Sequence, residues 1–202
     1  MDTQQMQQLV DAVLGSLFVE LEASGRHVHV TKEQAITLFG HPLTSKRPLS
    51  QPGQYLAGER VTVVGPKGEF ANVAVLGPER KAAQVEVTLT DARHLGVDAP
   101  IRLSGDVKNS PGILLRGENG CVPLNEGVIV AQRHIHLTPE DARKFGVTDK
   151  QVVKLQTYTA RPVLFEDVAV RVSPDYANFV HLDYDEANAC GFVPGDLGRI
   201  LP

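Results

Sequence analysis

The sequence contains no tryptophan and only two cysteines. Cys121 and Cys190 are far apart in the chain and form no Cys-x-x-Cys pair. A disulfide framework is therefore not expected, and both thiols are predicted to be free in a reducing compartment.

Neither sign of charge dominates, and no long apolar run occurs. Lysine and arginine total 20 against 24 acidic residues, which gives a net charge of -4. This balance gives no electrostatic basis for binding nucleic acid or a membrane surface. The apolar runs fall well short of the ~20 residues that a membrane span needs. Residues 1–25 also lack the basic residues of a secretory signal or a mitochondrial presequence.

Several enzyme signatures are missing as well. The chain has no Walker A pattern and no Gly-x-Gly-x-x-Gly, so a nucleotide-binding fold is not indicated. It also lacks Gly-x-Ser-x-Gly, the nucleophile turn of the α/β-hydrolases. The chemistry must therefore be sought in other residues.

Histidine is concentrated in two places. The stretches Arg26–Thr31 and Arg133–Thr138 both read Arg, His, aliphatic, His, aliphatic, Thr, and they contain four of the seven histidines. Side chains two residues apart share one face of a strand, so each stretch predicts a strand that presents two imidazoles together. A single copy is also compatible with a half-exposed surface strand. Two copies in matching context favour a metal site.

The repeat continues into a helix signal. Thr31-x-x-Gln34 has the capping-box pattern, and Thr138-Pro139 places proline at the first position of a helix. A related stretch begins at Thr90. These matches predict a duplicated strand-turn-helix unit, with the capped helix used a third time.

The remaining sequence predicts a mainly β protein. With 18 glycines and 13 prolines, about ten short strands are separated by turn signals, which is typical of a sandwich or barrel. A chain of 202 residues suits one large or two small domains. Near the start, apolar residues at helical spacing predict an amphipathic helix: Met6, Leu9, Val10, Val13, Leu14, Leu17, Phe18 and Leu21. Its apolar face would pack on its own domain or on another protein.

Three further residues are candidates for completing a site. Glu86 and His181 each lie within an apolar strand pattern, where zinc accepts both carboxylate oxygen and imidazole nitrogen. Each is also compatible with an ordinary strand surface. Arg80 is either a surface charge or the holder of a phosphate or carboxylate beside the metal. His41 and His94 are interpreted as solvated or structural.

Longer blocks of the sequence resemble the PduL-type phosphate propanoyltransferases. The similar blocks occur in order between about residues 24 and 190: Ser24–His29, Gln51–Tyr55, Val64–Gly68, Leu76–Arg80, Gln84–Val87, Gly127–His136 and Asp185–Ala189. The resemblance implies two capped β-barrel domains with short helices, a two-zinc active site between them and an N-terminal amphipathic helix. It implies the domain bounds 1–20 for the helix, 26–131 for the central barrel, and 21–25 plus 132–202 for a discontinuous barrel.

The resemblance also implies the roles of individual residues. One zinc ion would be held by His27, His29 and Glu86 with the CoA sulfur as fourth ligand, and the other by His134, His136 and His181. Arg80 would bind phosphate. The residues implied to lie against CoA are Ser24, Leu76, His181 and Asn188.

The implied reaction interconverts acyl-CoA and phosphate with acyl phosphate and CoA. Propanoyl-CoA is the expected substrate and acetyl-CoA the alternative, and the oligomeric state stays open. The N-terminal stretch resembles encapsulation helices, which implies a place inside a microcompartment of the bacterial cytoplasm and a shell or cargo partner. Two rivals use the same ligands: a two-zinc hydrolase of a thioester or phosphoester, and a non-enzymatic module that is shell-associated or sequesters zinc. The tail after Asn188 is shorter than in the family, and the role of Cys190 is open.

Overall fold

A computed structural model describes residues 2–201 and is mainly β, as the sequence predicts. Five helices lie in the described chain: α1 (Thr3–Leu17), α2 (Lys32–Phe39), α3 (Leu89–Leu95), α4 (Pro139–Phe145) and α5 (Tyr184–Cys190). The strands are β1 (Val19–Ser24), β2 (His27–His29), β3 (Ser45–Pro48), β4 (Tyr55–Val64), β5 (Glu69–Gly77), β6 (Gln84–Val87), β7 (Ile101–Arg102), β8 (Ile113–Arg116), β9 (Cys121–Leu124), β10 (Val128–Ala131), β11 (His134–Leu137), β12 (Val152–Tyr158), β13 (Leu164–Val172), β14 (Phe179–Asp183) and β15 (Leu197–Leu201). None of the helices in residues 2–201 has both the length and the apolar character to cross a bilayer.

The chain forms two compact units. The barrel unit contains the residues up to Ser24 and those from Arg133 onward. Its six strands close in the order β1-β14-β11-β13-β12-β15. Alternate side chains along these strands are buried and form one core, which includes Leu21, Ile135, Leu155 and Leu182.

The sheet unit spans Gly25–Gln132 and has its own core. Its nine strands run β7-β10-β6-β2-β5-β4-β8-β9, with β3 paired to β4. The prediction of a second closed barrel is therefore wrong in this unit, where the described strands form a curled sheet with two ends. One end strand, β7, has only two residues, and the other contains Pro123, which has no N–H to donate to a further strand.

The four short helices share their start and stop signals. The N-cap residues Thr31, Thr88, Thr138 and Asp183 each accept a hydrogen bond from a backbone N–H in the first turn. Each helix ends at a glycine in the left-handed conformation, which costs glycine little. The third capped helix was predicted from the stretch at Thr90, but its N-cap is Thr88.

The N-terminal apolar stripe crosses two elements. Helix α1 ends at Leu17, and Leu21 belongs to β1, where it is buried in the barrel core. On the helix itself, Met6 and Val13 are 48% and 47% exposed. The side chain of Leu9 lies outside the described residues. What covers the apolar side chains of α1 stays a prediction.

Candidate active site

The first cluster of candidate ligands lies in the sheet unit. His27 and His29 are on β2, and Glu86 is on β6 directly opposite His27 in the antiparallel pair. All three side chains are buried, and their ligand-capable atoms lie within 4.8 Å of one another. We call this cluster the first triad. It arises because alternate residues of one strand share a face and the register of the next strand adds the third group.

Hydrogen bonds orient both imidazoles of the first triad. Nδ1 of His27 donates to the carbonyl oxygen of Gly25 at 2.8 Å, and Nδ1 of His29 donates to that of Leu76 at 3.2 Å. These bonds leave Nε2 of each ring available as a ligand atom. Nε2 of His27 is 3.5 Å from Oε2 of Glu86.

The charges in the first triad compensate one another. Burial alone would raise the pKa of Glu86, but the charge and hydrogen bond of His27 lower it below its usual value, and Ser104 adds to this. Burial would lower the pKa of His27, but Glu86 outweighs it and the pKa is raised. The pKa of His29 is well below its usual value, first because of burial and then because of His27 and Arg80. Metal binding by His27 and Glu86 would therefore compete with protonation of His27.

A partly buried polar network joins Glu86 to Arg80. Ser104 Oγ donates to Oε1 of Glu86 at 2.9 Å and accepts from Nη1 of Arg80 at 3.2 Å. Gln84 Nε2 donates to Ser104 Oγ at 2.8 Å and also to Glu86. The backbone N–H of Gly105 donates to Oε1 of Gln84 at 2.7 Å, which fixes the amide. Arg80 is thus held beside the first triad.

The sequence did not predict Gln84 or Ser104. Gln84 carried a usable signal, because it stands two residues before Glu86 and so shares its face of β6. Ser104 carried none, because it follows β7 and reaches Glu86 across 18 positions of the chain.

The second cluster of candidate ligands lies in the barrel unit. His134 and His136 are on β11, and His181 is on β14 opposite His134. Their ligand-capable atoms also lie within 4.8 Å of one another. We call this cluster the second triad. Nδ1 of His136 is 3.2 Å from Nε2 of His181, whose Nδ1 is 3.5 Å from Oε2 of Glu22.

The environment of the second triad favours the neutral form of the His136 imidazole. Burial, followed by the charges of His134, His181 and Arg171, lowers the pKa of His136 to about 2. Nε2 of His136 is buried and has no hydrogen-bond partner within residues 2–201. An orphaned imidazole nitrogen is costly unless something binds it. Three imidazoles here and two imidazoles with a carboxylate in the first triad are donor sets that suit zinc.

The remaining predicted residues are distributed over both units. Leu76 is on β5 and contacts the first triad through its carbonyl oxygen. In the barrel unit, Ser24 is the last residue of β1 and pairs with Asp183, and Asn188 is exposed on α5. His41 and His94 are exposed, and neither belongs to a triad.

Comparison with known proteins gives a consistent result. The profile of the family described as "Phosphate propanoyltransferase" matches residues 20–193. The phosphate propanoyltransferase of Enterococcus faecalis is 52% identical over 184 residues, which cover 90% of this chain and 87% of that protein. That of Listeria monocytogenes is 53% identical over 185 residues, covering 91% and 87%. That of Clostridioides difficile is 48% identical over 198 residues, covering 97% and 95%.

Proposed function

The chain belongs to the phosphate propanoyltransferase family, and we propose that it interconverts acyl-CoA and phosphate with acyl phosphate and CoA. Propanoyl-CoA is the proposed substrate, with acetyl-CoA as the alternative. One observation carries the proposal beyond the family: a buried ligand triad and an arginine are joined by a single serine. Transfer to phosphate needs both a group that binds the leaving thiolate and a cation that binds the attacking anion.

We propose that the chain holds two zinc ions. His27, His29 and Glu86 would bind one, and His134, His136 and His181 the other. A bound zinc ion supplies Lewis-acid chemistry that stabilises the thiolate leaving the thioester. The support from this chain is the pair of buried clusters and the orphaned nitrogen of His136.

Arg80 is proposed to bind and orient phosphate. A guanidinium group offers a planar array of donors that matches phosphate oxygens, and it stays charged at all working pH values. Its bond to Ser104 uses Nη1, and Ser104 in turn donates to Glu86. Ser104 would thus hold the guanidinium group of Arg80 at a fixed position beside the first triad. Ser24, Leu76, His181 and Asn188 are proposed to contact CoA.

We propose direct attack of phosphate on the acyl carbon, without an acyl group on the protein. Cys190 is fully buried, its Sγ–H donates to the carbonyl of Ala187, and burial raises its thiol pKa. A raised pKa leaves little thiolate, which is the nucleophilic form. Cys121 is exposed and belongs to neither triad. Intact-mass measurement after treatment with propanoyl-CoA is expected to find no added acyl group; an adduct on either cysteine would overturn the direct route.

Thiol release from propanoyl-CoA tests the proposed reaction. Zinc-loaded protein is expected to release CoA only when phosphate is present, with acyl phosphate formed in equal amount. A chelator should abolish release and added zinc should restore it. Release without phosphate would instead identify a zinc hydrolase, and no release from zinc-loaded protein would contradict both enzymes.

We also propose that α1 directs the chain into a microcompartment of the bacterial cytoplasm. Its exposed apolar side chains support a role in contact with a shell or cargo protein. Deletion of residues 1–16 leaves β1 intact and should leave thiol release unchanged. A large loss of thiol release in this deletion would mean that α1 is needed for the fold.

A further inference from the structure

An arginine stands immediately before each histidine pair and binds an acid in the same unit. Arg26 donates to Asp91 through Nη2 at 2.7 Å and through Nε at 3.0 Å. Arg133 donates through Nη1 to Oε1 of Glu186 at 2.8 Å. The side chains of Asp91 and Glu186 are only 6% and 16% exposed, so the acid of each pair is largely shielded, whereas the side chains of Arg26 and Arg133 are 38% and 28% exposed.

The two acids occupy equivalent places. Asp91 stands five positions after Glu86, and Glu186 stands five positions after His181. Each acid is the third residue of a helix and accepts a hydrogen bond from the backbone N–H of the N-cap, at 3.3 Å for Asp91 and 3.1 Å for Glu186. That N-cap follows the third ligand by two residues in both units. The acid therefore fixes the helix that continues from the third-ligand strand.

The strands beneath the two arginines are also equivalent. The first histidine of each pair lies opposite an alanine of a parallel strand, Ala74 for His27 and Ala169 for His134. A phenylalanine stands four residues before each alanine. The guanidinium carbon of Arg26 lies 4.0 Å from the ring centre of Phe70, and that of Arg133 lies 5.6 Å from that of Phe165. Both contacts are within the range of cation–π attraction.

We infer that Arg26 and Arg133 are positioning residues of the two triads. Arg26 precedes β2 and binds α3, the helix that follows the strand of the third ligand in the first triad. Arg133 precedes β11 and binds α5, the corresponding helix of the second triad. The ion pair thereby fixes the distance between the two strands that carry the ligands. This inference rests on the proposed metal role of the triads, and its geometry occurs twice in one chain.

Positioning and simple electrostatics predict different signs. Removing the positive charge of Arg26 should tighten the binding of a cation nearby if charge alone matters, and removing the negative charge of Asp91 should weaken it. A positioning pair predicts that both changes weaken binding. It also predicts that the double change weakens binding no more than either single change, because the pair acts as one unit.

The experiment measures Co²⁺ binding to the full chain by competition with a chelator. His134→Ala and His136→Ala are introduced together so that only the first triad is read. In this background we compare Arg26→Met, Asp91→Asn and the double variant. Asp91→Asn retains a side-chain oxygen that can accept the hydrogen bond from the backbone N–H of Thr88. Arg102→Met and Asp106→Asn are matched controls, because they break an exposed ion pair of the same unit. Circular dichroism confirms that each chain is folded at the temperature of the measurement.

We expect Arg26→Met and Asp91→Asn each to weaken Co²⁺ binding about tenfold, as typical for changes behind a metal ligand. The Co²⁺ absorption spectrum should change in both, and the controls should bind as the parent does. Unchanged affinity in both variants, or shifts of opposite sign, would overturn the inference. If either variant is unfolded, Glu186→Gln and Arg133→Met provide the same test on the second triad, with Glu86→Ala silencing the first. A parent chain that binds no Co²⁺ at either triad would overturn the proposed metal sites themselves, and this inference with them.

Discussion

The two triads stand on the same strand pairing, but the third ligand is Glu86 in the sheet unit and His181 in the barrel unit. Both third ligands lie opposite the first histidine of the pair. The exchange of one residue changes the charge of the whole cluster. Glu86 raises the pKa of His27, whereas in the second triad burial and neighbouring histidines lower the pKa of His136 to about 2.

If both triads bind metal as proposed, this difference predicts two different metal environments on the same strand pairing. A divalent cation in the first triad would be partly neutralised by the Glu86 carboxylate. In the second triad the three ligands would all be imidazoles, which bind metal in their neutral form, so the cation would keep more of its charge for external anions. The strand pairing fixes where the ligand side chains lie, and we expect the identity of the third ligand to set how strongly each metal-loaded site attracts an anion.

Among the changes that distinguish the two triads, removal of the third ligand should have the largest effect on thiol release. Glu86→Ala leaves two histidines in the first triad and should reduce thiol release from propanoyl-CoA by about 10²–10³-fold, because stabilisation of the leaving thiolate is lost. Exchange by Glu86→His makes the two triads alike. That variant should still bind metal while remaining strongly impaired. If Glu86→His retains activity close to that of the parent, the identity of the third ligand does not matter for catalysis.

Arg80 should have the next largest effect, because it is held beside the first triad through Ser104. Arg80→Lys keeps the charge but loses the planar donors, and it should reduce kcat/KM for phosphate by about tenfold to a hundredfold. Zinc content should stay unchanged. Arg116→Met removes an exposed ion-pair arginine of the same unit and is the control. An equal loss in the control would mean that general charge, and not this position, governs phosphate use.

Ser104 should have a smaller effect. Ser104→Ala removes the hydrogen bonds that join Arg80 to Glu86 and should cost about 1–2 kcal/mol of transition-state stabilisation, or about fivefold to thirtyfold in activity. The loss should depend on Arg80, so that Ser104→Ala adds little to Arg80→Lys. Additive losses would indicate that Ser104 acts without Arg80.

The smallest predicted difference between the two triads is in how low pH affects the stability of the metal-free protein. The folded pKa of His136 is depressed to about 2, so below its ordinary value near 6.5 the unfolded chain binds more protons at this residue than the folded chain. Chelator-treated protein should therefore lose about 1–2 kcal/mol of stability from His136 between pH 6.5 and 5. The raised pKa of His27 acts in the opposite direction, because its contribution is complete below 6.5 and is lost as pH rises through the folded pKa.

Denaturant unfolding at the two pH values measures this effect. His136→Gln should flatten the acid part of the profile. An unchanged slope in His136→Gln would rule out His136 as the source of acid sensitivity.

Local signals made much of the molecule predictable from sequence. The His-x-His pairs, the N-caps Thr31 and Thr138 and the glycine stops act within a few residues, so their patterns could be read directly. The apolar spacing near the start was misleading because Leu21 continues the helical interval although it lies on a buried strand. Whether the sheet unit closes into a barrel depends on pairing between its two end strands, and no local sequence pattern predicts that pairing.

The candidate sites divide in the same way. Spacing alone indicates the histidine pairs, whereas Glu86 is compatible with an ordinary strand surface and only the family resemblance implies that it is a ligand. Register explains why: a partner opposite His27 is chosen by the strand pairing, 59 positions along the chain. Ser104 was missed for the same reason. The ion pairs of Arg26 and Arg133 join residues 65 and 53 positions apart in the chain, so no local pattern predicts them.

The most direct test of the account is the number of zinc ions bound by the parent chain and by variants of each triad. Elemental analysis and native mass spectrometry should find two ions in the parent and one in each of Glu86→Ala and His181→Ala. Two ions retained in either variant, or both ions lost together in either variant, would contradict the claim that each triad is a separate zinc site.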